Sequence, residues 1–402
     1  MANNNVYLAS KPRYEILDGL RGVAAMLVVA YHLFETYYHG GHDQPVNHGY
    51  LAVDFFFVLS GFVIGYAYDD RWNKMTTWSF FKRRLIRLHP MLVMGTLIGA
   101  VWFYFGDAPG FEKVAETPVW LFLVCVVMGC LMLPTPPQMD IRGWQEMNSL
   151  NGAVWSLFWE YIANIIYALF IRRFSRTMLC VFVAFSALLT INFGMNLQLI
   201  GQFIEADVWG QILPIDINTN YTFVGGFGLQ PQQLLIGATR LLYPFFVGLL
   251  ISRLMYGKPN ANPYRHGFLI CSLAVIIVLC MPRIGGETDG WQNGLYETLS
   301  ILIIFPLIVA LGAKSRVQGK RAFAWCKFLG DISYPLYVTH YPLIYLQMKW
   351  AATHSQVPLE QHISVAVLLF IFAVAVAYAS LKLYDLPVRE WLKNKLFKPA
   401  VK

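Results

Sequence analysis

Charge is scarce in this sequence: Asp, Glu, Lys and Arg make up 13% of its 402 residues, about half the share of a soluble domain. With 57% hydrophobic residues and a mean hydropathy of +0.48, that shortage excludes an ordinary soluble fold and predicts a polytopic membrane protein. Cysteine is equally uninformative as a staple. The six cysteines form no CxxC pair and mostly lie in apolar runs, so neither a disulfide framework nor a zinc site is expected. P-loop and dinucleotide fingerprints are missing, as are internal repeats, heptads, low-complexity tracts and a separate soluble domain. The first fifteen residues have no apolar core and no small-residue cleavage pattern, which predicts a cytoplasmic lead-in rather than a signal peptide.

The net charge of +8 is placed in short basic blocks beside apolar runs: Lys82 to Arg87, Arg172 to Arg176, Lys314 to Lys327 and Lys393 to Lys402 among them. Such blocks mark cytoplasmic loops, not a nucleic-acid surface. Apolar runs fall at about 16–38, 50–68, 88–105, 118–133, 153–171, 178–195, 235–255, 267–281, 295–313, 328–348 and 363–384. Basic ends on both sides place both termini in the cytoplasm and require an even number of crossings. The 118–133 run, closed by Pro134, is the surplus one. The expectation is an all-α polytopic helical bundle of about ten transmembrane helices plus one re-entrant or interfacial segment. Long outward loops at about 106–152 and 196–234 carry aromatics and amides, among them Trp144, Gln145, Glu146 and Asn148, a composition that suits either a sugar or the membrane interface.

Polar residues inside these runs are costly and point to chemistry. Arg21 and His32, eleven residues apart, lie about 20° apart on one helix face, roughly 16 Å along its axis. His32 has the ordinary titration range of a general base, and Glu35 one turn on can fix its tautomer; an interhelical hydrogen bond is the structural alternative. His39, His42, His48 and Asp43 cluster without any standard metal-ligand spacing. Arg84 and Arg87 sit one turn apart in FFKRRLIRLHP, placed either to snorkel to lipid phosphates or to grip a phosphorylated ligand. Ser60-Gly61-Phe62 allows close helix packing. Glu160, following Trp155-Ser156, needs a partner such as Arg21 or a substrate hydroxyl. FLGDISYPLYVTH puts Asp331, Ser333, Tyr334 and His340 on one span, and Asp385, Arg389 and Glu390 read as a helix-end salt network.

In order, LDGLRGVAAMLVVAYH (Asp18, Arg21, His32), VDFFFVLSGF (Ser60), FFKRRLIRLHP (Arg84, Arg87, Pro90), VWSLFWE (Ser156, Glu160) and FLGDISYPLYVTH (Tyr334, His340) resemble the acyltransferase 3 family of integral membrane acyltransferases. The resemblance runs from about residue 14 to 391. It implies a membrane domain over 16–391, between the lead-in of 1–15 and a basic tail of 392–402, in a bacterial inner membrane. It also implies acyl-CoA as a cytoplasmic co-substrate with no tightly bound cofactor or metal, and an exported carbohydrate acceptor. His32 takes the role of essential histidine with Arg21 as companion and Glu35 in support. Arg84 and Arg87, with Ser60, bind the donor; Asp18, Ser156, Glu160, Tyr334 and His340 form a supporting polar network. The resemblance includes relatives with a fused SGNH-type domain, of which this sequence carries no sign, so transfer is expected to finish in the membrane domain or on a partner. The rival readings are a proton-coupled transporter or flippase using His32, Glu160 and His340, acylation of a small molecule such as a macrolide, and a non-catalytic binding module.

Overall fold

A computed structural model describes residues 11–37, 44–108, 110–199, 220–256, 264–285 and 289–397. Among them no strand occurs, and the chain is a bundle of apolar helices. The principal helices are α1 (Glu15–Glu35), α2 (Ala52–Tyr68), α3 (Thr77–Trp102), α4 (Val119–Cys130), α5 (Trp155–Leu169), α6 (Arg176–Gly194), α7 (Pro231–Met255), α8 (Gly267–Cys280), α9 (Trp291–Ala313), α10 (Lys320–Thr339), α11 (Tyr341–Thr353) and α12 (Leu359–Leu396). Seven stretches are long and apolar enough to cross a bilayer: α1, α2 with its preceding turn, α3, α6, α7, α9 and α12. With the family relationship given below, these make it a multi-pass membrane protein.

Three of the ten expected crossings fall on shorter or interrupted helices. The 153–171 and 267–281 runs form helices of 15 and 14 residues, roughly 20 Å long, against about 30 Å of hydrocarbon. The 328–348 run is interrupted at His340, between α10 and α11. The surplus run becomes the 12-residue α4, about 18 Å long, with Val119, Trp120, Leu123 and Val127 facing outward. Helix α3 starts well before residue 88, capped by Thr76 accepting from the Ser79 N–H. The basic block read as a loop is therefore its first turns. Likewise, α12 runs on through Leu396, past the boundary placed at 391.

Prolines explain the irregular turns. A proline lacks the N–H that would bond to the carbonyl four residues back, so that carbonyl needs another donor. Pro342 frees the Val338 carbonyl, which accepts from Asn151 Nδ2 at 2.7 Å. Pro306 follows a π-helical turn at Ser300–Ile304 and frees the Leu302 carbonyl, which accepts from the Tyr243 hydroxyl at 2.6 Å. Both bonds come from other helices or loops and stitch the bundle together.

Among the described residues, the closest backbone approach at a glycine joins α2 and α7. A Cβ on Gly61 of α2 would lie 1.7 Å from the Phe245 carbonyl of α7, and one on Gly248 would lie 2.0 Å from the Val58 carbonyl. Each helix thus inserts a backbone ridge where the other has no side chain. The packing alternative for Ser60-Gly61-Phe62 is what Gly61 and the buried Phe62 do, while Ser60 is half-buried beside them.

Candidate functional site

Because residues three apart on a helix lie on one face, α1 presents His32 and Glu35 together. The His32 Nδ1–H donates to Glu35 Oε2 at 2.8 Å. The carboxylate thereby fixes the tautomer and leaves Nε2 with its lone pair free, and no described residue bonds it. The His32 side chain keeps 19% of its surface accessible. Around it stand aromatic walls: Tyr341 edge-on at 4.8 Å and the His340 ring at 5.5 Å between centroids. His340 is fully buried at the helix interruption, its Nδ1 bonded to the Tyr337 carbonyl at 2.8 Å and the Leu336 carbonyl at 3.1 Å. Its Nε2 is buried without a partner.

Ser156 belongs to the same wall. Tyr337 has one hydroxyl proton, which goes to the Ala153 carbonyl at 2.9 Å, so Ser156 Oγ donates to the Tyr337 oxygen at 2.7 Å. This ties the start of α5 to α10 just below His340.

At the other end of the bundle, α1, α3 and α12 bring Arg21, Arg84, Arg87 and Arg389 within electrostatic range of one another. Three of them are neutralised. Arg21 pairs with Asp18 at 3.0 Å, Arg84 with Glu160 at 2.7 Å and Arg389 with Asp385 at 2.7 Å. Glu160 therefore takes its partner from α3, not from Arg21 as the sequence suggested, and Arg84 is half-committed to holding α3 against α5. Asp385 and Arg389 form the expected helix-end pair. Arg87 has no ion pair or hydrogen bond among the described residues and is exposed. Nearby, the Tyr334 hydroxyl donates to the Leu88 carbonyl, and His89 Nδ1 lies 3.2 Å from the Tyr161 hydroxyl.

The sequence reading passed over a second polar layer. Asp54 of α2 and Arg240 of α7 form a fully buried pair at 2.6 Å, with the guanidinium also donating to the Tyr50 and Gly225 carbonyls. Beside it Glu297 accepts from the Tyr50 hydroxyl, from Asn293 and from the Phe223 N–H. His48 bonds the Met281 carbonyl and Asn293 Oδ1 with its two ring nitrogens, leaving none for a metal. His39, His42 and Asp43 lie outside the described residues. Arg240 was visible as a lone cation within LLIGATRLLYPFF, and that was its signal.

The 106–152 loop reaches inward rather than displaying all its polar groups. Glu146 is buried, accepts from the Tyr345 hydroxyl at 2.8 Å and lies close to Gly152 and Tyr341. Tyr345 is capped by the Arg142 guanidinium, 3.5 Å above its ring centre. Burial pushes the Glu146 carboxyl up to about 7, against the smaller downward pull of the Tyr345 hydrogen bond and Arg142. A carboxyl raised on folding binds its proton more tightly in the folded state, so the stabilisation it gives is complete below its unfolded value of about 4.5 and fades as pH rises toward 7. Thermal midpoints of wild type should fall across that window, by on the order of 3 kcal/mol of stability, and Glu146→Gln should flatten the slope. Parallel pH profiles for the two proteins would refute this.

The profile of a family described as an acyltransferase domain matches residues 14–382. The chain belongs to the acyltransferase 3 family. Within that match lie His32, Glu35, three of the four arginines (Arg21, Arg84 and Arg87) and His340. Over 94% of its length, the acyltransferase 3 chain is 24% identical to an O-acetyltransferase, OatA, of Staphylococcus aureus. Over 82% it is 25% identical to a peptidoglycan O-acetyltransferase, OatA, of Listeria monocytogenes. It spans 58% and 49% of those proteins' lengths, about half of each. A shorter stretch, 39% of the chain, is 34% identical to a protein of the picA locus of Rhizobium radiobacter. No solved structure matches the chain.

Proposed function

We propose that this acyltransferase moves an acyl group, acetyl in the first instance, from acyl-CoA on the cytoplasmic side to a hydroxyl of a cell-envelope glycan. The observation that carries the reading is the His32–Glu35 dyad with a free Nε2, in the same bundle as a cluster of arginines. The OatA relatives, named as O-acetyltransferases, supply the acetyl group and the glycan class. The basic blocks support cytoplasmic termini, and the family supports a bacterial inner membrane.

In this reaction the CoA phosphates dock on Arg87, the cation without a counter-ion, with Arg84 and Arg21 adding field from their paired positions. The glycan hydroxyl oxygen attacks the thioester carbonyl while His32 Nε2 takes its proton. The C–S bond then breaks, and the proton returns to the departing CoA sulfur. Glu35 steadies the imidazolium between the two steps. If His32 acts as nucleophile instead, a burst of one CoA thiol per enzyme appears without acceptor.

The test is thiol release from acetyl-CoA by purified protein in membranes that contain the native glycan, paired with the acetate content of that glycan. Both should depend on the protein; acetate transfer without CoA release would overturn the donor. Arg87→Ala should raise the KM for acetyl-CoA about tenfold or more, the worth of one lost charge-assisted contact, with kcat little changed. An unchanged KM would mean that Arg87 serves lipid headgroups.

A further inference from the structure

We infer that His340 is the acceptor for the second proton of His32, so that the imidazolium formed during acyl transfer has both N–H groups held by protein. This rests on the reading of His32 as the proton acceptor. The argument is an accounting of donors and acceptors. Neutral His32 has one N–H, and Glu35 takes it. Once Nε2 takes the hydroxyl proton, a second N–H needs an acceptor until that proton passes to the sulfur, and a buried acceptor left unpaired beside it is itself costly until it is met. Beside this ring His340 offers a spare lone pair. His340 gives its Nδ1–H to the Tyr337 and Leu336 carbonyls, which forces Nε2 to be the unprotonated nitrogen, and that atom is buried with no partner.

The spacing fits. Two imidazoles joined by an N–H···N bond near 3 Å have centroids roughly 5 Å apart, and these lie 5.5 Å apart with planes tilted by 31°. A small rotation of His32, whose side chain is tethered only through Glu35, closes the gap. His340 is less free to move, because the helix interruption at this residue is pinned by Asn151 on the Val338 carbonyl. It is therefore a positioning residue that acts through His32: fully buried itself, it does not meet the substrate. The other ionisable groups around the pair are Tyr31 and Glu35 on α1, Tyr337 and Tyr341 on either side of the interruption, and Glu146 from the loop. Tyr31 gives its hydroxyl proton to Glu35, and Tyr337 gives its own to the Ala153 carbonyl while accepting from Ser156.

Two substitutions separate this role from packing. The amide of His340→Asn reaches the Nδ1 position and keeps the bond to the Tyr337 carbonyl, but leaves no acceptor at Nε2. His340→Gln places its amide oxygen where Nε2 stood. For His340→Asn, kcat for CoA release from acetyl-CoA should fall about tenfold or more with the KM for acetyl-CoA unchanged, and His340→Gln should recover most of it. An unchanged kcat, or a parallel loss in both variants, would overturn the inference.

A second arm needs no substrate. In protein labelled with ¹⁵N-histidine and brought to a pH that charges His32, a coupling across an N–H···N bond should join His32 to His340 and vanish in His340→Asn. Exchange of the His32 Nε2–H with water alone would overturn the inference. Failure of wild type to release CoA at all would instead strike the acyl-CoA reading, while the coupling still tests the pair of rings.

Discussion

Replacing His32 with alanine should lower acyl transfer by about 10²- to 10⁴-fold, the range of a lost general base. Thermal midpoint and membrane insertion should not change. The expectation of intact folding is specific: the side chain is partly accessible, its hydrogen-bond partner is Glu35 on the same helix, and to α10 and α11 it makes ring contacts alone among the described residues. Donor KM should stay near the wild-type value, since the arginine cluster lies toward the other end of α1. Transfer that survives the substitution in a reconstituted acetyl-CoA assay would remove His32 from the chemistry, and with it the dyad on which the proposed reaction stands. Glu35→Gln, which keeps the shape and removes the charge, should give a smaller loss in kcat.

The largest effect on stability is expected from Asp54→Ala. Its carboxylate faces Arg240 in a pair with no water access on either side. Removing it leaves a guanidinium buried with two carbonyls and no counter-charge. Breaking a buried pair from one side costs about 3–5 kcal/mol, enough to unfold a marginally stable protein. The variant should accumulate poorly and elute as aggregate in detergent. Replacing both partners, with Asp54→Leu and Arg240→Met, should restore much of the loss, because no lone charge remains. A single variant as stable as wild type would show that the pair is not what holds α2 against α7 at this depth.

What the sequence disclosed depended on how far apart the partners are. His32 and Glu35 share a helix face three residues apart, so their meeting followed from periodicity alone. Asp385 and Arg389 were legible for the same reason. Glu160 was not: its carboxylate was recognisable as needing a partner, with Arg21 or a substrate hydroxyl as the candidates, and only the tertiary packing of α3 on α5 brings Arg84 to it. Asp54 and Arg240 lie 186 residues apart, and nothing local in either segment names the other. The interruption at His340 was foreshadowed by Pro342, yet hydropathy averages over twenty residues do not see a single missing N–H. The helical membrane architecture was evident from composition, and the shortness of α8 was in the sequence too, since its 14 residues nearly fill the run of 267–281. Arg84 and Arg87 were expected to act as equals. Glu160 makes Arg84 a strut, whereas Arg87 has no ion pair among the described residues.

The seam at Gly61 and Gly248 has a mechanical consequence. Two backbones in direct register cannot slide or part without losing the contact along their whole length, so α2 and α7 behave as a fixed jamb. A thioester or glycan therefore has to enter between other helices than these two.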